Sequence, residues 1–283
     1  MRSANLAKLV QAAPPAPVGG LSDVRISVQD LTKVYGSDRK PVTAVDRVSF
    51  DIARGEFVAL LGPSGCGKST ILNMIAGLLP RSAGDVRIDG HVTRAGEVVP
   101  KVGYVFQRDN LFPWRSVADN VGYGLELAGR PAAERRALVS DALHRAGLQE
   151  FADAFPLTLS GGMRQRAALM RSLVMKPEIL LMDEPFGALD THTKLDMHQV
   201  LLEIWEQERQ TVLFVTHDLA EALTLADRII LLAARPGRLK ESFRVPFARP
   251  RDAVALRETR EFADAFSHIW HSLGEEFRKG KST

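Results

Sequence analysis

A glycine-rich loop between a predicted strand and a predicted helix constrains this chain more than any other feature. The loop reads Gly62-Pro-Ser-Gly-Cys-Gly-Lys-Ser69 and matches the pattern Gly-x4-Gly-Lys-Ser in full. It follows the short apolar run 57–61, typical of a buried parallel strand, and precedes a helix-length segment that continues to Pro80. Glycines let the backbone curl so that N–H groups face phosphates, and the helix N-terminus adds positive charge. The pattern therefore predicts a nucleotide-binding α/β protein.

The individual loop positions have distinct predicted roles. Lys68 is expected to reach the β- and γ-phosphates, and Ser69 is expected to bind Mg²⁺. The candidate nucleotide-binding residues of the loop are Gly62, Pro63, Ser64, Gly65, Cys66, Gly67, Lys68, Ser69 and Thr70. Two interpretations of Cys66 stay open: it is a small filler, or it is a reactive thiol favoured by the positive potential of a helix N-terminus.

A second predicted buried strand ends in two carboxylates. The apolar run 179–182 is followed by Asp183 and Glu184. Ligands of open α/β sheets bind at the carboxyl ends of strands. Asp183 is therefore predicted to hold Mg²⁺, and Glu184 to act as the general base that polarises an attacking water. A helix cap is the alternative for such a pair.

Two further polar side chains follow apolar runs and are expected at the same sheet edge. Gln107 comes after the run 102–106 and is a candidate to contact Mg²⁺ or the water. His217 comes after the run 212–215 and Thr216, and is a candidate to contact the γ-phosphate or to hold the water; a structural histidine is the alternative. From about residue 109 the apolar spacing becomes helical, which predicts a helical subdomain over about 109–175.

Composition excludes several functional classes. The 283 residues carry 37 basic and 34 acidic side chains, a net charge of +3, without a basic run typical of a nucleic-acid arm, so no nucleic-acid partner is predicted. The single cysteine excludes an internal disulfide framework and suits a reducing cytosol. No stretch approaches the ~20 apolar residues that span a bilayer, so a transport role would require membrane partners.

Both ends of the chain are predicted to lie outside the nucleotide-binding domain, which is expected over 24–240. Residues 1–23 contain a short apolar patch interrupted by prolines and are predicted to be a flexible extension. Residues 241–283 are predicted to be a tail with an amphipathic helix, for which packing on the parent domain is favoured and docking to a partner is the alternative. The apolar positions of this helix are Phe262, Phe266, Ile269, Trp270, Leu273 and Phe277.

The ordered motifs resemble those of the ATP-binding cassette (ABC) ATPases, roughly from Val24 to Leu239. The resemblance rests on Tyr35, 62–70, Gln107, Leu159-Ser-Gly-Gly-Met163, 179–185, Ala188-Leu-Asp190 and His217, in that order. It implies a P-loop NTPase fold with a mainly parallel core sheet and helices, an antiparallel β-subdomain and a helical signature subdomain. It also implies a Mg²⁺-dependent ATPase in which Glu184, His217 and Lys68 are catalytic.

The same resemblance implies a head-to-tail dimer with two ATP molecules at its interface. Tyr35 would stack on adenine, and Asp190 would contact the second copy. The segment 159–163, called the signature segment below, would close over the γ-phosphate held by the other copy. The residues implied for that contact are Ser160, Gly161, Gly162, Met163 and Gln165. Gln107 would signal to a membrane partner.

Three segments are similar to ATPase subunits of bacterial nitrate/sulfonate/taurine-type importers, namely 107–114, 159–173 and 183–190. Met163 departs mildly from the Gln of many cassettes. The similarity implies a peripheral subunit at the cytoplasmic face of the inner or plasma membrane, with a permease dimer and an external solute-binding protein as partners. Phe112, Pro113 and Trp114 would form the groove for a permease helix; ordinary core packing of the two aromatics is the alternative.

An exporter or lipid-transport ATPase, and a soluble cassette ATPase acting on DNA or ribosomes, are the alternative functions. DNA-acting cassettes usually separate the phosphate loop from the signature by a long coiled coil, whereas roughly 90 residues without sustained heptads separate Ser69 from Ser160. Ribosome-acting members typically carry two cassettes in one chain, and this chain has one. The segment 183–186 resembles importers more than fused exporters. The solute stays open.

Overall fold

The computed structural model describes residues 23–36, 40–97, 99, 101–233 and 235–281, with side chains described as far as residue 274 in the last helix. The predicted flexible extension therefore lies outside the described residues, apart from Asp23. The chain divides into two compact units. The first comprises Met1–Pro100 and Arg209–Thr283, and the second comprises Lys101–Glu208.

Strands and helices alternate along the chain. The strands are β1 (Val24–Tyr35), β2 (Val42–Ala53), β3 (Phe57–Leu61), β4 (Ala83–Ile88), β5 (His91–Val92), β6 (Val102–Val105), β7 (Ile179–Asp183), β8 (Thr211–Thr216), β9 (Arg228–Ala233) and β10 (Arg238–Arg244). The helices are α1 (Lys68–Ile75), α2 (Val117–Val121), α3 (Tyr123–Leu127), α4 (Ala132–Arg145), α5 (Gly161–Leu173), α6 (Thr191–Glu208), α7 (Leu219–Leu225) and α8 (Arg260–Lys281). None of these helices, in the part of the chain described, is long and apolar enough to cross a membrane.

The first unit contains an antiparallel sheet in the order β2-β1-β4-β5 and a second set of strands in the order β10-β9-β3-β8. Strand β3 pairs in parallel with both β8 and β9. Leu61 is the register partner of Thr216, so the residues that follow them, Gly62 and His217, leave the sheet at the same edge. The parallel pairing thus brings two predicted site residues, far apart in sequence, to one edge.

The second unit contains the parallel pair β6 and β7 together with helices α2 to α6. Val105 is the register partner of Met182, so Gln107 and Glu184 follow the same end of this pair. Every residue of β3, β7 and β8 is buried. Buried parallel strands show continuous apolar runs of this kind, because both of their faces are covered.

The tail helix α8 packs on its own unit. Ile269 and Leu273 are 1 % exposed, and the Lys240 ammonium donates a hydrogen bond to the Ser272 carbonyl at 2.8 Å. Its aromatic side chains form a ladder in which Phe262, Phe266 and Trp270 stack in succession, with centroids 6.5 and 5.7 Å apart. Trp270, at the end of the ladder, is exposed. Phe277 lies where side chains are not described.

Candidate functional site

The phosphate loop leaves β3 and curls into the start of α1. Gly65 and Gly67 have φ of +77° and +90°, in the left-handed region that glycine adopts without strain. At Gly67 a Cβ would also lie 2.8 Å from Val45 Cγ2, so no side chain fits there. Gly67 is the N-cap of α1 and provides no capping side chain, and the first turn has no acidic residue. A helix start of this kind, without a capping side chain or an acidic residue, is suited to an anionic ligand.

Lys68 lies inside the curl of this loop. Its side chain is buried, and its Nζ donates hydrogen bonds to the carbonyls of Gly62 at 2.8 Å and Pro63 at 3.0 Å. Ser64 and Gly65 at the tip of the loop are exposed, while Ser69 and Thr70 follow in the first turn of α1. The loop thus presents one ammonium group together with backbone donors, a combination that suits a polyphosphate.

Cys66 is fully buried beneath the loop. Burial raises the pKa of its thiol, against the opposing effect of the nearby Lys68 ammonium. A Cβ on Gly62 would lie 2.8 Å from the Cys66 sulfur, which indicates how closely the thiol packs. A buried thiol of raised pKa is a poor nucleophile, so the structure favours the interpretation of Cys66 as a filler.

Tyr35 and His217 are placed at strand ends in the first unit. Tyr35 closes β1, and its ring is 42 % exposed, with the Lys33 ammonium 4.9 Å from its centroid. His217 follows β8 and is exposed. The next residue, Asp218, accepts hydrogen bonds from the N–H groups of Ala220 and Glu221 at 2.8 and 3.3 Å, which fixes the start of α7.

Arg235 is a cation at the phosphate loop that the sequence motifs did not indicate. A Cβ built on Gly65 would lie 3.7 Å from Arg235 Nη2 and 3.9 Å from its Nε. The exposed guanidinium therefore lies against the tip of the loop and adds to its positive charge. Its only sequence signal is the turn Ala-Arg-Pro-Gly after strand β9, which has no nucleotide-binding pattern.

The two predicted carboxylates lie at the end of β7. Asp183 is 6 % exposed. The burial of the nearby Tyr104, together with the negative charge of Asp183, raises the pKa of the Tyr104 phenol, so that this phenol stays neutral. Glu184 has φ of +46°, rare for a residue with a side chain. Gln107 Nε2 donates to Glu184 Oε2 at 3.4 Å, so the second unit brings these two predicted residues into contact.

No cluster of three or more His, Cys, Asp or Glu side chains that could hold a metal occurs among the described residues. Structural cations such as Ca²⁺ take six to eight oxygen ligands, mostly from the protein. Mg²⁺ instead keeps several waters and is usually bound through one or two carboxylates plus substrate phosphates. The buried carboxylate of Asp183, at the end of β7, fits the second arrangement.

The signature segment forms the start of α5. Ser160 is the N-cap, and its hydroxyl accepts a hydrogen bond from the Met163 N–H at 3.2 Å. Ser160 and Gly161 are exposed, and Gly162 and Met163 are half-buried. An exposed helix start with two glycines gives a second backbone surface suited to phosphate.

Gln165 faces the interior of its own chain, whereas the family resemblance implies a contact with the ATP of a second copy. It is 4 % exposed. Its Nε2 donates to the Glu184 carbonyl at 3.3 Å, and its Oε1 accepts from the Ala188 N–H at 2.7 Å. Sequence interpretation missed both bonds, because the motif gives no local sign of them.

Asp190 directly precedes α6 and is exposed. It accepts hydrogen bonds from the Thr193 N–H at 3.1 Å and the Thr193 hydroxyl at 2.7 Å, which hold the pKa of its carboxyl below the ordinary value. The carboxylate is thus a charged, oriented group at the surface, as a contact with another molecule requires.

The turn after Gln107 is rigid and presents an aromatic side chain. The buried Asn120 accepts a hydrogen bond from the Phe112 N–H at 2.7 Å and donates to the carbonyls of Phe112, Arg115 and Ser116. Trp114 is 71 % exposed, with its ring 5.5 Å from that of Phe112. Core packing therefore accounts for Phe112, which is half-buried, but not for Trp114.

Comparisons with known proteins agree with this geometry. Residues 45–187 match the family model described as "ABC transporter". The chain is 47% identical over 250 residues to a putative ATP-binding protein of Brucella abortus, covering 88% of this chain and 93% of the relative. It is 47% identical over 234 residues to the taurine import ATP-binding protein TauB of Rhizobium johnstonii, covering 81% of this chain and 88% of TauB. It is 37% identical over 238 residues to the aliphatic sulfonates import ATP-binding protein SsuB of Bacillus cereus, covering 83% of this chain and 93% of SsuB.

Two solved structures resemble the chain along most of its length. The dimeric structure of MJ0796, a bacterial ABC transporter cassette, superimposes with a TM-score of 0.72 and 35% identity, covering 79% of this chain and 100% of that chain. The dimeric post-hydrolysis state of the same cassette, bound to ADP and Pi, gives a TM-score of 0.71 with 34% identity and the same coverage. The predicted fold class is confirmed by these matches.

Proposed function

The chain belongs to the ABC transporter family of ATP-binding proteins, and from this we propose that it is the ATP-hydrolysing subunit of an importer for taurine, sulfonates or a related small solute. As an ABC ATPase it hydrolyses ATP to ADP and phosphate. The observation that carries the assignment is the phosphate loop, in which the buried Lys68 ammonium lies inside a glycine-rich curl at a helix start that has no capping side chain. The importer class is supported by the identity to TauB and SsuB.

The residues of the first unit bind the nucleotide in this proposal. Lys68 exchanges its bonds to loop carbonyls for the β- and γ-phosphate oxygens, which carry more negative charge. Backbone N–H groups at the start of α1 complete the cradle in this proposal. Tyr35 offers a partly exposed ring on which adenine stacks. His217, at the same sheet edge as the loop, contacts the γ-phosphate.

The candidate Mg²⁺ ligands in this proposal are Ser69 of the first unit and Asp183 and Gln107 of the second unit. Bound Mg²⁺ would neutralise charge on the β- and γ-phosphate oxygens. The donor set of hydroxyl, carboxylate and amide oxygens fits a hard cation. Asp183 supplies the negative charge, and the neutral phenol of Tyr104 beside it adds no competing charge.

Glu184 acts as the general base in this proposal. A carboxylate at a strand end can accept the proton of a water held in hydrogen-bond reach. Gln107 bonds to this carboxylate, which limits the orientations available to it. A change in the position of Gln107, caused by a membrane partner, would therefore change how Glu184 is oriented.

The proposed active form is a head-to-tail dimer, as in the dimeric cassette structures to which the chain is similar. Ser160, Gly161 and Gly162 of each copy close over the γ-phosphate held by the other copy, and Asp190 contacts the second copy. ATP then favours the closed dimer because it has more contacts in that state, and loss of the γ-phosphate removes them. This differential contact lets ATP bias an attached permease.

Mixed dimers test this arrangement. Lys68→Ala and Ser160→Ala homodimers should each be inactive, because every site lacks one part. A tethered heterodimer of the two variants should recover activity, since the Lys68 of one subunit and the signature of the other then form one intact site. Phosphate release is the measurement. No recovery in heterodimers of verified composition would contradict the shared-site arrangement.

The proposed membrane partner is a permease dimer supplied by an external solute-binding protein. Trp114 stands exposed on the rigid turn that follows Gln107, and aromatic side chains of this kind often anchor protein interfaces. The turn is also tied to the signature helix, because Arg164 pairs with Asp109 at 3.0 Å and Arg171 donates to the Asn110 carbonyl at 2.9 Å. Binding of a permease helix here would thus reach both Gln107 and α5.

Growth experiments test the solute class. A strain lacking this chain should lose growth on taurine or an alkanesulfonate as sole sulfur source and keep normal growth on sulfate. Wild-type complementation should restore growth, whereas Glu184→Gln should not, because transport needs hydrolysis. Undiminished growth on both sulfur sources, with loss on nitrate instead, would move the assignment to a different solute of the same importer group.

A further inference from the structure

The side chain of Gln165 forms hydrogen bonds with both ends of the turn that runs from Glu184 to Ala188. Gln165 donates to the Glu184 carbonyl at 3.3 Å and accepts from the Ala188 N–H at 2.7 Å. Within the turn, the Gly187 N–H donates to the same Glu184 carbonyl at 3.2 Å. The left-handed backbone of Glu184 persists only where its surroundings over-determine it. Gln165 is one of the groups that do so.

Gln165 lies on the same face of α5 as the glycines of the signature segment. It follows Gly161 by four residues and Gly162 by three, and positions three and four apart are neighbours on a helix surface. A Cβ on Gly162 would lie 3.3 Å from Leu189 Cδ2 and 3.6 Å from the Ala188 carbonyl. The signature end of α5 therefore packs directly on the turn that Gln165 holds.

These contacts join groups that serve different nucleotides in the proposed dimer. We propose that Gln165 is a positioning residue that couples the two ATP sites: it ties the signature segment, which closes over the ATP of the second copy, to Glu184, which acts on the ATP of its own chain. This inference rests on the proposed dimeric function. When the signature segment of one chain closes, Gln165 draws the turn with it and fixes the Glu184 carboxylate at the other site.

The burial and bonding of Gln165 favour this role over direct contact with a nucleotide. Its amide donor and its carbonyl oxygen are both engaged inside the chain, and 4 % exposure leaves little of it available to a second copy. Ser160 and Gly161, one turn earlier, are the exposed part of the segment. In this proposal the exposed Ser160 and Gly161 contact the second copy on closure, and the buried Gln165 moves the turn that follows Glu184.

Two substitutions separate the bonds. Gln165→Leu removes both with little change in size, and Gln165→Glu keeps the acceptor for the Ala188 N–H while losing the donor to Glu184. We expect Gln165→Glu to lower kcat about tenfold, the factor that one lost hydrogen bond supplies, and Gln165→Leu to lower it by at least as much, with KM for ATP changed by less than about threefold in both. Gln207→Leu and Gln207→Glu, at an exposed position of α6, are the matched controls and should retain wild-type kcat.

A tethered dimer distinguishes coupling from simple bracing. The second subunit carries one of two substitutions: Glu184→Gln, so that its site holds ATP without hydrolysing it, or Lys68→Ala, so that its site stays empty. The first subunit carries either Gln165 or Gln165→Leu. Phosphate formed in the first turnover then reports on the first site alone. When the first subunit carries Gln165, emptying the second site should slow the first turnover about tenfold. When it carries Gln165→Leu, the ratio of the turnover rate with the second site filled to that with it empty should fall below about twofold. The same ratio with Gln165 and with Gln165→Leu would overturn the coupling role.

The outcomes also separate this inference from the proposed function. Wild-type kcat in Gln165→Leu, together with an ATP-trapped Glu184→Gln dimer, overturns the role of Gln165 and leaves the ATPase assignment intact. Failure of Glu184→Gln to slow hydrolysis contradicts the assignment itself. If Gln165→Leu does not fold, by circular dichroism and thermal unfolding, Gln165→Glu in the same tethered dimer carries the test.

Discussion

Glu184→Gln should bind ATP with wild-type affinity and hydrolyse it at least about 100-fold more slowly, because general bases contribute typically 10²- to 10⁴-fold. The amide has the shape of the carboxylate and can still accept the hydrogen bond from Gln107, so the turn that follows β7 should keep its conformation. What the substitution removes is the ability to take a proton from water. Steady-state phosphate release and ATP titration measure the two halves of this expectation.

The same variant should accumulate as a dimer when ATP is present, because hydrolysis is the step that removes the contacts between copies. Light scattering on a sizing column should give twice the monomer mass with ATP and the monomer mass with ADP. Glu203→Gln, at an exposed position of α6, is the matched control and should keep normal turnover. Hydrolysis by Glu184→Gln at the wild-type rate would show that another group is the base.

Sequence alone predicted the parts of the fold and site that depend on local patterns. The predicted runs 57–61 and 179–182 are continuous and apolar, as is typical of strands covered on both faces, and they form β3 and β7, the latter extended by Asp183. The loop at 62–69 is also predictable from its local sequence, because its glycines adopt backbone angles that other residues adopt only with strain. Of the predicted apolar face of α8, Ile269 and Leu273 are buried, whereas Trp270 is exposed.

The contacts of Gln165 were beyond prediction, because they join positions 19 and 23 residues apart through the packing of a helix on a turn. The motif grouped Gln165 with the exposed signature residues, which implied contact with the ATP of a second copy. Only the direction of its side chain shows that it forms hydrogen bonds inside its own chain instead. The positive φ of Glu184 is similar in kind. Local propensity disfavours it, and the surrounding structure imposes it.

Arg235 marks a further limit of sequence interpretation. Its guanidinium reaches the phosphate loop because the turn after β9 meets the start of that loop, where Gly237 donates to the Ala44 carbonyl at 2.9 Å and lies against the Cys66 carbonyl. A cation 170 residues downstream of a glycine has no spacing rule that links the two. Only the parallel pairing of β3 with β9 brings their ends together.

Lys68→Ala should weaken ATP binding at least about 100-fold, because charge-assisted hydrogen bonds contribute about 1.5–3 kcal/mol each and this ammonium is expected to make two. The free protein should remain folded, since the carbonyls of Gly62 and Pro63 that lose their donor lie beside a loop open to water at Ser64 and Gly65. Isothermal titration with Mg²⁺ and ATP measures the affinity. Lys176→Ala, which removes an exposed ammonium paired with Glu208, should bind normally. Because Lys68 is the only cation held inside the curl of the loop among the residues that the structure describes, unchanged affinity in Lys68→Ala would mean that the nucleotide binds elsewhere.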